Sequence, residues 1–339
     1  MGSAEAVFSA PSAQIAECLG KLPDSERFFN YLRRPVRRDD FADELDFAAQ
    51  QDQTILAYES PAYPGLLKQI FDPPPLLYTR GSVAVLNEPQ LAIVGSRHAS
   101  TRGFRRAGEF SRELTALGIA VTSGLALGID QAAHQGAVES NGQTIGVLGN
   151  GLNTIYPKSN QPLGEAIISN GGALVSELPP AAAPAARNFP KRNRIISGLA
   201  LGVLVVEATL KSGSLITARM ASEQGREVFA MPGDIDNPHS KGCHRLIRDG
   251  AQLTETIDDI LGAIAPQLKP FIESGTTPKV ASLTPEEQQV YDSVGYASAT
   301  IDEITVDTRL TAATVSSILL SLELSGLIAG QPGGRYSRT

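Results

Sequence analysis

The sequence has no tryptophan, only two cysteines, Cys18 and Cys243, and only four histidines in 339 residues. Two cysteines so far apart in the chain make neither a disulfide framework nor a thiolate zinc site, so no metal is expected and a reducing compartment fits. No run of about 18 apolar residues occurs, which predicts no membrane-spanning helix. The first twelve residues lack a basic cluster followed by an apolar stretch, so no secretory leader is expected and the chain is placed in the cytoplasm. G-x-G-x-x-G and G-x-x-x-x-G-K-[ST] are both missing, so neither a dinucleotide nor a P-loop nucleotide is expected as cofactor. At the nearest glycine turn, Gly95-Ser96-Arg97-His98, Arg97 would crowd the pyrophosphate.

An excess of positive charge is also missing. The net charge is −7, which at first argues against a polyanionic partner. The distribution changes that reading. Residues 1–89 carry 8 basic and 13 acidic side chains, and residues 280–339 carry 3 and 7. Residues 90–264 carry 16 basic and 15 acidic, and their cations are clumped.

That middle stretch alternates short apolar runs with helical patterns. The runs are Leu91–Val94, Ile119–Thr122, Thr144–Leu148, Ala173–Val175, Gly202–Val206 and Glu227–Met231. Near-continuous apolar strands separated by helices predict an α/β class with a buried parallel sheet, helices on both faces and six strands, in a Rossmann-like arrangement. Residues 12–50 read as mostly helical, giving a small N-terminal segment, 1–54, ahead of a main domain at 55–265. Asp72-Pro73-Pro74-Pro75 marks an extended connector into Leu76-Leu77-Tyr78. Pro266 to Pro278 reads as a linker, placed at 266–282. Residues 283–339 offer three helical pieces and a hairpin around Gly330–Gly334, the pattern of a winged helix.

Ligands of open parallel sheets bind at the carboxyl ends of the strands. The residues following the apolar runs are Gly95, Ser96 and Arg97; Ser123 and Gly124; Gly149-Asn150-Gly151; and Lys211-Ser212-Gly213-Ser214. Glycine and serine at helix starts leave backbone N–H groups for phosphates. Before the fifth run, Arg187, Lys191, Arg192 and Arg194 surround Phe189, with Asn193 beside them. Cations for phosphates with an aromatic face for a base describe a single-stranded nucleic-acid site. Plainer readings stand beside these. Gly95, Gly124 and Gly151 could serve only tight turns. Arg102, Arg105 and Arg106 could be a solvated helix face. Asp130 and His134 share a helix face and could be catalytic, metal-binding or mere packing. Glu177 and Glu207 could be acid–base groups or could orient cations. Tyr156-Pro157 reads as a turn.

The chain resembles the DprA/Smf family of DNA-processing proteins. The resemblance rests on Ile93–Arg97, Ser123–Asp130 with His134, Gly149–Gly151 with Tyr156-Pro157, Ser176-Glu177, Phe189–Ile196, Glu207-Ala208 with Lys211–Ala218, and Pro232-Gly233, in order over about residues 55–262. It implies an extended Rossmann domain that binds single-stranded DNA during natural transformation as a homodimer. It further implies help in displacing single-strand-binding protein, loading of the recombinase RecA, and no enzymatic activity. Carried over by motif, Arg97, Phe189, Lys191, Arg192, Asn193, Lys211 and Ser212 would contact the strand. The dimer and recombinase surface would fall within Leu246–Leu261. The first 50 residues match least and imply a reduced SAM-like domain, whereas the tail is similar to the family's winged helix.

Two rivals remain. Nucleoside-monophosphate glycoside hydrolases of the lysine-decarboxylase-like superfamily have a similar layout, but Lys211–Ala218 lacks their glutamate. A transcription regulator reading DNA with its tail is the other. The tail's third helical piece, Ala312–Ser325, has no Lys or Arg, so weak duplex binding and a partner-protein or autoregulatory role are expected.

Overall fold

Each of the six apolar runs forms a strand, and three further strands join them. In chain order they are β1 (Gln53–Ala57), β2 (Leu76–Gly81), β3 (Gln90–Val94), β4 (Ala120–Ser123), β5 (Thr144–Val147), β6 (Ala173–Ser176), β7 (Gly202–Val205), β8 (Glu227–Ala230) and β9 (Gln252–Leu253). The computed structural model describes residues 10–19, 30, 37–273, 284–294, 299–324, 327–331 and 334–338. The chain divides into two compact units, Met1–Asp46 and Phe47–Thr339. The described helices are α1 (Ser12–Leu19), α2 (Ala42–Ala48), α3 (Gly65–Lys68), α4 (Thr101–Ala116), α5 (Ile129–Glu139), α6 (Gln161–Ser169), α7 (Asn188–Leu199), α8 (Ser214–Glu223), α9 (Lys241–Arg248), α10 (Ile257–Glu273), α11 (Pro285–Val294), α12 (Ile301–Thr308) and α13 (Ala312–Leu324).

The large sheet runs β1-β2-β6-β5-β4-β3-β7-β8-β9. From β6 to β9 all pairings are parallel, whereas β1–β2 and β2–β6 are antiparallel. Alternate residues of β3 show why its run is continuously apolar. Leu91 and Ile93 pack with α4, α5 and α10, while Ala92 and Val94 pack with α7 and α8 on the other face. Between β3 and β4 the buried polar side chains satisfy each other: Thr122 donates to Gln90 Oε1 at 2.6 Å, and Gln90 donates to the Leu86 carbonyl at 2.8 Å. Because β3 lies between β4 and β7, its chain leaves toward one face and that of β7 toward the other. The sheet therefore opens a crevice at their carboxyl ends.

Two expectations change. The boundary at residue 54 cuts through β1, whose Ile55 pairs with Tyr78 of β2. The connector leads into Leu76–Tyr78, which opens β2. The linker does not begin at 266: α10 continues to Glu273 because Ile260, Leu261, Ile264 and Leu268 recur on one helical face and are buried in the core. The expected linker residues 274–282 and much of the N-terminal segment lie outside the described residues.

The tail is a winged helix. Helices α11–α13 enclose Val290, Ile304, Val315 and Leu319 against the sheet β10 (Ala299–Thr300), β11 (Ile328–Gln331) and β12 (Arg335–Arg338). Its wing cations are engaged. Arg335 approaches Glu303 at 3.5 Å, and Arg338 pairs with Asp292 at 2.9 Å while lying over the Tyr291 ring.

Helices α4 and α5 cross where Gly108 meets Gly136. A Cβ on Gly136 would stand 2.4 Å from the Gly108 carbonyl oxygen and 2.8 Å from its Cα. Backbone cannot swing aside, so Gly136→Val should lower unfolding stability by about 1–3 kcal/mol through overpacking. In urea titrations Arg219→Ala, at a side chain 80% exposed, should stay within about 0.5 kcal/mol of the parent. Equal midpoints for the two variants would contradict this packing.

Candidate nucleic-acid interface

At the carboxyl ends of β3 and β7 lies an open cavity of about 740 Å³. Three chain segments wall it: Gly95–His98 after β3, the start of α7 with Phe189, Arg192 and Asn193, and the β7–α8 loop with Thr209, Ser212 and Gly213. Eight of the eleven residues expected at the site therefore line one cavity. Lys191 and Lys211 are exposed beside it but do not line it, and Gly124 lies buried beneath.

The loop after β3 is held by backbone. Ser96 N–H donates to the Glu207 carbonyl at 2.7 Å, and the Ser96 carbonyl accepts from Ile129 N–H at 3.1 Å. A Cβ on Gly95 would stand 2.6 Å from Ile129 Cγ1 and 2.9 Å from the Glu207 carbonyl, so its glycine serves close packing. Gly128 (φ +78°) backs the same loop, and its Cβ would meet the Ser96 carbonyl oxygen at 2.2 Å. Arg97 is thus carried on a fixed backbone, with its side chain exposed.

Phe189 occupies the start of α7. Its ring lies on Gly149, where a Cβ would come within 2.7 Å of Cδ1. The Tyr156 ring is tilted 33° to it at 5.7 Å, and the Arg97 guanidinium lies 5.5 Å above it. Tyr156 is 48% exposed and lines the cavity. Reading Tyr156-Pro157 as a turn missed this. Tyr156 lies nine residues beyond β5, in the long connection to α6, so the strand-end rule did not select it. His98 and His239 also line the cavity. No sequence signal marked His239, because a return loop after β8 brings it there.

Arg192 corrects the sequence reading. Expected to meet phosphate, it is only 4% exposed. Its Nη1 donates to the carbonyls of Gly124, at 2.9 Å, and Val147. Asp130 faces it across Gly124. A Cβ there would stand 2.5 Å from Arg192 Nη2 and 2.7 Å from Asp130 Oδ2, so Gly124 is a spacer and not a strand contact. Asp130 also accepts from Gly124 N–H at 3.2 Å. Burial raises the Asp130 carboxyl, opposed by the Arg192 charge. Burial pushes Arg192 down to about 10, against the pull of Asp130. His134, fully buried, hydrogen-bonds Thr144 Oγ1 through Nδ1 at 2.7 Å. Its proximity to Asp130 in sequence therefore reflects packing.

The other cations and carboxylates also resolve. Arg194 grips Glu177 with two nitrogens, at 3.0 and 2.6 Å, and reaches Asp72 at 3.2 Å. Of the four cations around Phe189, only Arg187 and Lys191 are exposed. Glu207 accepts from Ser100 N–H at 2.8 Å and from its hydroxyl, fixing the start of α4. Arg105 and Arg106 pair with Glu109 on the solvent face of α4. Among the described residues no group of three or more His, Cys, Asp or Glu is placed to hold a metal, and no helix is long and apolar enough to cross a membrane.

A profile of the DNA recombination-mediator protein A family matches residues 54–265, and one of the DprA winged helix domain matches 274–334. The chain belongs to the DprA family. It is 42% identical to protein Smf of Escherichia coli over 92% of this chain and 83% of that protein. It is 45% identical to DNA processing protein DprA of Streptococcus pneumoniae over 59% of this chain and 70% of that protein. The X-ray structure of the S. pneumoniae DprA superposes with a TM-score of 0.67, at 37% identity, covering 75% of this chain and 86% of that one. The Helicobacter pylori DprA structure, solved for that protein's single-stranded DNA binding mode, gives a TM-score of 0.57 at 29% identity, covering 63% and 96%.

His134 gives this floor a pH dependence. Burial, reinforced by the Arg192 charge, pushes its pKa down to about 3. An unfolded histidine takes up a proton near pH 6.5, whereas the folded one stays neutral until about pH 3. Stability from the neutral ring is complete above pH 6.5 and is lost as pH falls toward 3, by about 1.4 kcal/mol per unit at most. Between pH 7.5 and 5.0, His134→Gln should lose about 2 kcal/mol less than the parent in urea unfolding. Parallel stability profiles would refute this.

Proposed function

We propose that this DprA-family chain binds single-stranded DNA along the carboxyl edge of its parallel sheet and acts without catalysis as a recombination mediator. The observation that carries the reading is the grouping of Arg97, Phe189 and Tyr156 at the mouth of the cavity. A base entering there meets aromatic faces already in place. Its phosphates meet Arg97, Lys191 and Lys211, all exposed. The single-stranded DNA binding of the H. pylori relative supports the same partner for this chain.

Asp130 is the one carboxylate among the described residues lining the cavity, and it faces Arg192. The Ser212 and Ser214 hydroxyls hydrogen-bond each other at 2.7 Å. This arrangement supports holding a strand over cleaving a glycosidic bond. Protection of incoming strands in natural transformation, displacement of single-strand-binding protein, delivery to RecA, a cytoplasmic location and action as a homodimer complete the proposal. Family membership supports each of these. For the dimer surface, within Leu246–Leu261, the open edge strand β9 with Leu253 44% exposed is the available part, since Ile260 and Leu261 are in the core. The acidic tail, with both wing arginines engaged, suits a protein partner better than duplex DNA.

Fluorescence anisotropy at several salt concentrations tests the site. Arg97→Ala and Lys211→Ala should each weaken single-strand binding and reduce the log–log salt slope by roughly 0.7. Phe189→Ala should cost about 1–3 kcal/mol per stacked base. Unchanged affinity and slope in both cation variants would place the strand elsewhere. The same titrations with duplex should show much weaker binding, unaltered by Arg335→Ala.

A further inference from the structure

Phe71 is 103% exposed, more than any other large apolar side chain of the described residues. The loop that carries it is nevertheless stiff. Arg194 Nε donates to the Asp72 carbonyl at 3.0 Å and to its carboxylate at 3.2 Å. The buried Tyr63 donates its hydroxyl to the Pro74 carbonyl at 2.7 Å. Three consecutive prolines, Pro73 to Pro75, fix the backbone φ angles that follow. A ring presented by a stiffened loop loses little freedom on meeting a partner, which favours binding.

The ring belongs to the same sheet edge as the cavity. Glu177 directly follows the carboxyl end of β6, and Arg194 joins it to Asp72. On α7, Arg194 follows Phe189 by five residues, roughly 7.5 Å along the axis. Lys191, exposed, lies between them on that helix. We propose that Phe71 is a second stacking platform for single-stranded DNA, receiving a base of the strand that has left the cavity. This rests on the binding reading above and extends it by a subsite outside the cavity. Beside Phe71 the charge of Arg194 is already matched by Asp72 and Glu177. The ring, and not a local excess of charge, supplies the attraction. A stacked base therefore fits this position better than a phosphate does.

The chain has no tryptophan, so Phe71→Trp creates a single reporter at an exposed position that packing does not constrain. Titration with oligonucleotides of about four and about twenty nucleotides separates the cavity from a longer track. The long strand should quench the tryptophan, and the short one should bind without doing so. Phe71→Ala should weaken long-strand binding by roughly 5- to 150-fold, the range for one aromatic stack, and leave short-strand binding and the salt slope unchanged. Phe71→Leu should behave like Phe71→Ala, while Phe71→Trp should bind at least as tightly as the parent. A bound long strand that leaves the emission unchanged overturns the platform, as does parental affinity in Phe71→Ala or Phe71→Leu. Emission that responds to protein concentration alone also overturns it, placing a second copy of the chain on the ring. Failure of the cavity reading is distinct: it appears as unchanged binding of the short strand by Arg97→Ala.

Discussion

The buried guanidinium of Arg192 is the contact on which the candidate site depends. It ties the start of α7 to the carbonyls ending β4 and β5, at Gly124 and Val147. Removing a full charge from water costs several kcal/mol, and such a cost is tolerable only with charge and hydrogen-bond compensation. Two carbonyls and Asp130 supply that compensation, and Gly124 leaves the room in which guanidinium and carboxylate face each other. Phe189, one helical turn earlier, is held on Gly149 as a consequence. Arg97 then has a fixed ring to lie over. The exposed candidate surface thus stands on a buried electrostatic one.

This division explains how a chain of net charge −7 can suit a polyanion. Formal charge over the whole chain governs long-range repulsion, which salt screens beyond about 8–10 Å. At contact distance only the accessible cations matter. Arg97 at the cavity and Lys191 and Lys211 beside it are exposed, while Asp130, the one lining carboxylate among the described residues, is turned toward Arg192. The acidic residues of the tail lie on a winged helix whose wing cations are already paired.

The sheet and the place of the candidate site were legible from the sequence because both follow from one-dimensional patterns. Continuous apolar runs mean strands buried on both faces, and residues just beyond them fall at the carboxyl edge. What was not legible was which cation faces water. Arg192 and Arg194 are two residues apart on the same helix as Lys191, yet Arg192 turns inward to carbonyls, Arg194 reaches two carboxylates, and Lys191 is solvent-exposed. Those fates depend on Asp130, Glu177 and Asp72, contributed by distant segments, and no local pattern encodes them. Gly95 and Gly124 were ambiguous for a similar reason, since the atoms that forbid a Cβ at each come from elsewhere in the chain. The strands β1 and β9 escaped because one sits in a polar N-terminal context and the other has two exposed residues.

Physical fit also bears on the proposed strand, as against a small-molecule substrate, in this crevice. A doubly wound sheet offers its switch point to whatever chemistry the loops supply. In dinucleotide sites the first loop is glycine-rich, so that a pyrophosphate can approach the backbone closely. Here Arg97 occupies that position and projects outward over an aromatic ring. Glu207, at the end of the neighbouring strand, is spent on the start of α4 and its Ser100 cap, which removes an anion-binding helix terminus and a candidate base at once. What remains open is an arrangement of exposed cations and ring faces in which Arg97, Phe189 and Tyr156 are already in contact. Such a surface favours a flexible polymer, because each nucleotide adds a modest, repeated contact and affinity accumulates along the track without any single site needing to be tight.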